Sequence, residues 1–212
     1  QLPHEPPDNA HREQHEQRGN RRAGRRRRSA THGAAAGLRH FVAHAVISVV
    51  GAGVVGALTA WLIGRIPGCK VTLIDIDESR RGLAHALDVA FATPEGAPAE
   101  LDRVVHASGS PEGLVTALRL AAFEAVIVEA SWYGDRRASL PLGEAFHSRR
   151  LTIRGSQVGH VATRQRARWT HARRMALALD LLRDPVLDAL VSGEDAFDDL
   201  PQVMARLAAA PA

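Results

Sequence analysis

Residues 41–64 form an uncharged run that follows a cluster of arginines and is long enough to cross a bilayer. The order of residues inside it points elsewhere. A short β-branched segment, "AVISVV", stops at Gly51, and "GAGVVG" then sets glycines at 51, 53 and 56. Apolar residues at helical spacing follow through "VVGALTAWLIGRI". A second β-branched run, "KVTLIDID", carries Asp75, which stands 19 residues after Gly56. Strand, glycine turn, helix, strand and acid in this order form the context that a G-x-G-x-x-G dinucleotide fingerprint requires. The membrane reading and the phosphate-cradle reading therefore compete for one stretch, and the order of its parts favours the cradle.

Each position has a physical task in that cradle. Gly51 permits the tight turn off the strand. Gly53 keeps a side chain out of the way of a pyrophosphate, and Gly56 lets the helix approach the sheet. The first helical turn, with Val54 and Val55, offers free N–H groups and a partial positive charge to phosphates. Asp75 is suited to accept the hydroxyl hydrogens of the adenosine ribose. Its charge opposes a 2′-phosphate, so the expected cofactor is NAD(H).

The rest of the chain repeats the alternation. "DESRRGLAHALDV" reads as a helix with Asp77 as its N-cap, and "DRVVHASGS" as a strand. "PEGLVTALRLA" reads as a helix opened by Pro111, and "EAVIVEASWYG" as another strand. "LPLGEAFHSRR" reads as a short helix and "LTIRGSQVG" as a strand. "RQRARWTHARRMALALDLLRD" and "DAFDDLPQVMARLAAA" read as closing helices. Strands that are nearly continuous in apolar residues, each followed by a helix, predict an α/β fold: a Rossmann-type doubly wound parallel sheet covered on both faces. Aromatic residues make up only 4%, so the core must consist mainly of Ala, Val, Leu and Ile.

The net charge of +4 is unevenly placed. Residues 1–40 hold nine arginines against four acids, and the remainder balances 18 basic against 19 acidic residues. Residues 1–43 lack both apolar period and large apolar groups, which predicts a disordered basic leader ahead of one domain over residues 44–212. "RRAGRRRR" invites a phosphate backbone, but no aromatic residue interleaves it as a stacking site would need. The single cysteine, Cys69, excludes an internal disulfide and any zinc site that needs two cysteines, and fits a reducing, cytoplasmic setting.

Over about three quarters of its length the chain resembles the cofactor-binding half of medium-chain, zinc-type alcohol dehydrogenases. The resemblance rests on "VVGAGVVG", "VTLIDIDESR", "VVHASGSPEGL", "VIVEASWYGD" and "LTIRGSQVG" in that order. It implies hydride transfer between an alcohol or polyol carbon and NAD. By position it places Gly51, Gly53, Val54, Val55 and Gly56 around the pyrophosphate, with Asp75 and Arg80 near the adenosine ribose. Ala107 and Ser108 would line the crevice, and Ser131 and Trp132 the nicotinamide end. It also implies a homodimer through the edge strand that Leu151 and Gly159 bound.

The sequence departs from the family in what precedes the fingerprint. Relatives carry a zinc-bearing catalytic domain there, and this chain carries the arginine-rich leader. A truncated or frame-disrupted product, inactive or weakly active alone, is the expectation that follows. No metal ligands are assigned: His4, His11, His15 and His32 lie in the leader without a scaffold. His106 falls inside a strand and reads as a core histidine, with a proton shuttle as the alternative. Tyr133 lacks the lysine partner that a short-chain reductase would use. Two other functions stay open: an FAD-dependent amino-acid-oxidase-like fragment, and a nucleic-acid binder acting through the arginine tail.

Overall fold

The structure is a computed structural model and describes residues 45–209. The leader and the expectations that fall on it, disorder and nucleic-acid binding, lie outside the described residues. The apolar run of the sequence divides into two elements. Strand β1 (Val46–Val50) enters the glycine turn, and helix α1 (Val54–Gly64) leaves it. Neither they nor any other helix among the described residues is long and apolar enough to cross a membrane.

Strand β2 (Lys70–Ile74) follows, with the half-buried Cys69 just ahead of it. A 3-10 turn over Glu78–Arg80 then leads into α2 (Arg81–Ala86) and the short strand β3 (Ala90–Ala92). Strand β4 (Leu101–His106), helix α3 (Pro111–Leu120) and strand β5 (Ala121–Glu129) come next, then β6 (Thr152–Gly155). Helices α4 (His171–Leu181) and α5 (Leu200–Ala209) close the described chain. The strands form one sheet in the order β3-β2-β1-β4-β5-β6, with every neighbouring pair parallel. The chain builds outward from β1 to β3, then returns to the other side of β1. That reversal opens a crevice at the carboxyl ends of β1 and β4, where such sheets bind ligands.

Alternation along the strands divides the core into two layers. Val49 and Leu73 face α1 and pack with Ala57, Ala60 and Trp61. Val50, Ile74, Val104 and Ile127 face the other way and pack with Leu114, Ala117 and Leu118 of α3. Small residues on α1 let the helix lie close to the sheet. Helix α3 starts where Ser110 caps it, its hydroxyl accepting from the N–H groups of Glu112 and Gly113, with Pro111 in the first turn.

The parallel α/β sheet expected from the sequence is present, with local differences. Strand β3 was not expected: three residues are too few to show a period, and it forms because Ala90–Ala92 pair with Thr72–Ile74 of β2. The strand expected over residues 151–159 shortens to Thr152–Gly155. The helix expected from residue 164 begins at His171, because the Thr170 side chain accepts from the Arg173 N–H and caps it there. The segment expected as a helix between β5 and β6 is an irregular wide turn over Leu142–Phe146, broken at Glu144.

Candidate functional site

Gly51 leaves β1 at φ +104°, a conformation that side chains disfavour, and its N–H donates to the Ile74 carbonyl at 2.8 Å. A Cβ at this position would stand 2.6 Å from the backbone of Ser108, so the turn also needs glycine for the close passage of the loop after β4. At Gly56 a Cβ would drive into the carbonyl oxygen of Gly51, which makes this the contact that seats α1 on β1. Gly53 is the N-cap of α1 and has open space around it. No side chain caps the first turn, and it contains no acid. Its leading amides thus have no intrahelical partner, and the helix dipole adds positive potential where Val54 and Val55 lie exposed.

Asp75 follows β2 and reaches back to this turn. Its Oδ2 accepts from the Ala52 N–H at 2.6 Å, and its Oδ1 accepts from the Asp77 N–H at 2.9 Å. Each carboxylate oxygen keeps a lone pair for a further donor. A cavity of about 140 Å³ is lined by Gly51, Ile74, Asp75, Ile76, Ser108 and Gly113 among others. The first fingerprint glycine, the acid after β2 and the end of β4 thus meet at one place. Arg80 is turned to Asp77, 3.5 Å away, and does not line this cavity.

Beyond Ser108 the site contains a network that the sequence did not reveal. Val50, His106 and Glu129 lie in register at the carboxyl ends of β1, β4 and β5. His106 is fully buried. Its Nδ1 meets both oxygens of the Glu129 carboxylate, at 2.9 and 2.8 Å, and its Nε2 meets the Ser108 hydroxyl at 2.7 Å. The carboxylate also accepts from the Ser131 N–H at 2.8 Å and the Tyr133 hydroxyl at 3.2 Å. Facing a carboxylate, Nδ1 carries the proton, so Nε2 of a neutral ring accepts from Ser108. The Ser108 oxygen also accepts from the Ser110 N–H at 3.3 Å, which leaves one lone pair for a ligand in the crevice.

Burial pushes the Glu129 carboxyl up, but the hydrogen bonds from His106 and Ser131 outweigh it, and the group titrates below its usual range. Burial and then the charge of Glu129 raise the Tyr133 phenol above its ordinary value. Ser131 therefore sits inside the network, its hydroxyl accepting from the Gly109 N–H at 3.0 Å. Ala107 extends the sheet, its N–H donating to the Val50 carbonyl at 2.8 Å. Trp132 is 87% exposed. The signal for His106 and Glu129 was present only as a polar residue ending each of two adjacent strands, and Tyr133, beyond the end of β5, had none. Among the described residues no group of three or more His, Cys, Asp or Glu side chains is placed to hold a metal ion.

No protein-family model and no curated protein sequence matches the chain. Solved structures do. Galactitol-1-phosphate dehydrogenase from Escherichia coli superposes with a TM-score of 0.61 at 19% identity, over 79% of this chain and 51% of its own. A Sinorhizobium meliloti protein described as a zinc-binding dehydrogenase, bound to NADP, gives 0.60 at 21% identity, over 77% and 49%. Acetophenone reductase from Geotrichum candidum, in complex with NAD, gives 0.57 at 20% identity, over 77% and 45%. The chain spans about half the length of each. By its fold, this chain resembles the part that it matches of zinc-type medium-chain alcohol and polyol dehydrogenases.

Proposed function

We propose that this chain binds a nicotinamide dinucleotide across the carboxyl edge of its sheet and is the cofactor-holding part of an oxidoreductase that acts on an alcohol or polyol. One observation carries the reading: Gly51, which leads into the uncapped first turn of α1, and Asp75 border the same cavity, and the Asp75 carboxylate is tied to that turn through the Ala52 N–H. The bound NADP and NAD of two structures with this fold support it. In this reading the amides of Gly53, Val54, Val55 and Gly56 take the pyrophosphate and Asp75 takes the ribose hydroxyls. Ser108, held as an acceptor by His106, receives a further hydroxyl hydrogen. Ala107, Ser131 and Trp132 flank the nicotinamide half. The cofactor supplies the hydride chemistry, and the chain holds and orients it.

Acceptors line the side of the cavity where a 2′-phosphate would lie, so the reading favours NAD over NADP. Arg80 is engaged with Asp77 and leaves that preference in place. Asp75→Ala should weaken NADH binding about tenfold or more, the scale of losing one charge-assisted hydrogen-bond pair, and should narrow the gap between NADH and NADPH. Fluorescence titration of both nucleotides measures this. Unchanged affinities in the variant would remove the ribose assignment.

The same reading has the 212-residue chain binding cofactor with little alcohol oxidation of its own. It also pairs two copies through β6, which forms one edge of the sheet. Sedimentation should then give twice the chain mass at micromolar concentration, and a single-chain mass throughout would exclude that pairing.

A further inference from the structure

From residue 145 to residue 179 the chain contains no aspartate or glutamate, and it carries eight arginines and three histidines. The structure gives these arginines different tasks. Arg149 and Arg150 pair with Glu100 and Glu124. Arg173 lies over the Trp169 ring at 4.4 Å. Arg174 donates to the Val158 and His160 carbonyls at 2.5 and 3.3 Å, and His171 Nε2 meets the Gly159 carbonyl at 3.0 Å. These bonds tie the loop after β6 to the first turn of α4.

The remaining three positions of interest, Arg154, Arg164 and Arg166, line one cavity of about 530 Å³ with Ser156, Gln157 and His160. None of the three forms an ion pair among the described residues, although Arg166 Nε donates to the Val161 carbonyl at 3.1 Å. The cavity lies at the carboxyl ends of β5 and β6, where Val128 pairs with Arg154. That is the same edge of the sheet as the glycine turn, on the side of β1 away from Asp75.

We propose that this cavity is the substrate's anion pocket, and that the alcohol or polyol is a phosphate monoester held by Arg154, Arg164 and Arg166. The inference rests on the dinucleotide reading for calling the ligand a substrate; the anion pocket itself stands on its own geometry. Three guanidiniums without acid partners leave a concave positive surface, and planar forks match the oxygens of a phosphate bidentately. The volume is that of a small-molecule site. A nucleic acid fits less well, because no Phe, Tyr or Trp lines the cavity to stack on a base. The loop is held by Arg174 and His171 before any ligand arrives, so little ordering cost remains on binding.

The test uses the full chain and calorimetry with sorbitol 6-phosphate, sorbitol and inorganic phosphate, alongside an NADH titration. Sorbitol 6-phosphate and phosphate should bind, and sorbitol should not. Arg154→Ala with Arg164→Ala should weaken sorbitol 6-phosphate about tenfold or more while leaving NADH affinity and the ligand-free melting temperature in place. Equal binding of sorbitol and its phosphate, or an unaffected double variant, overturns the pocket. So does a duplex oligonucleotide that displaces the phosphate ester at lower concentration. If the ester binds as expected and NADH does not, the pocket stands and the dinucleotide reading fails; NADH binding without the ester gives the reverse.

Discussion

Replacing Gly56 with alanine should destabilise the chain by about 3 kcal/mol or more and abolish dinucleotide binding, because the new methyl group overlaps the Gly51 carbonyl oxygen. Both partners are backbone, so no change of rotamer relieves the overlap. Only movement of α1 away from β1 does, and that separates Ala57, Ala60 and Trp61 from Val49 and Leu73. A loss of this size is a large share of the stability of an ordinary domain. Urea unfolding followed by circular dichroism measures it.

Gly53→Ala is the matched control. Its backbone is extended and its surroundings are open, so stability should change by less than about 0.5 kcal/mol. NADH affinity should nevertheless fall, since the methyl group projects where the phosphates approach. A stable Gly56→Ala variant would contradict the helix–strand contact. Unchanged NADH binding in Gly53→Ala would contradict the cradle.

Glu129→Leu should cost about 3 kcal/mol, the scale observed when one partner of a buried pair is removed. It strands three donors at once: the ring Nδ1–H of His106, the Ser131 N–H and the Tyr133 hydroxyl. Glu129→Gln keeps one acceptor oxygen and should lose less. The pH dependence follows from the direction of the Glu129 shift. The folded state holds this carboxyl below its unfolded value, so the unfolded chain binds the proton first as pH falls. The stabilisation is therefore complete above the ordinary carboxylate range and fades as pH drops below about 4. Chemical unfolding of wild type and Glu129→Gln from pH 7 to pH 3 should show the difference between them shrinking towards acid. A constant difference would mean that the carboxylate charge contributes nothing.

What the sequence disclosed and what it hid follow from the range of the interactions. The glycine turn, its helix and Asp75 were legible because each signal is local: a break in β-branching, a missing side chain, an acid at the end of the next strand. The start of α3 at Pro111 was legible for the same reason. The His106–Glu129 pair was not, because its partners are 23 residues apart and meet only through the register of β4 with β5. Read alone, "VVHAS" offers a core histidine, and the fully buried ring agrees with that. Of the groups around it only Ser108 lies in that segment; Glu129, Ser131 and Tyr133 come from the end of β5 and the residues after it. Strand β3 and the late start of α4 escaped for different reasons: one is too short for any period, and in the other a threonine cap overrides a long helix-compatible pattern. Two of the cavity's arginines were visible as composition in "RQRARWTHARR", but only the fold brings Arg154 to them from β6.

The parallel sheet also has a chemical polarity that is useful at the bench. Cys69 and Lys70 are the chain's sole thiol and sole ε-amino group, and both stand where β2 begins. Every parallel strand begins on that edge, and the crevice lies at the opposite one. A maleimide dye or a surface tether attached to either residue is therefore held a full strand length from the nucleotide turn. Labelled or immobilised protein should report ligand binding without the reporter standing in the way.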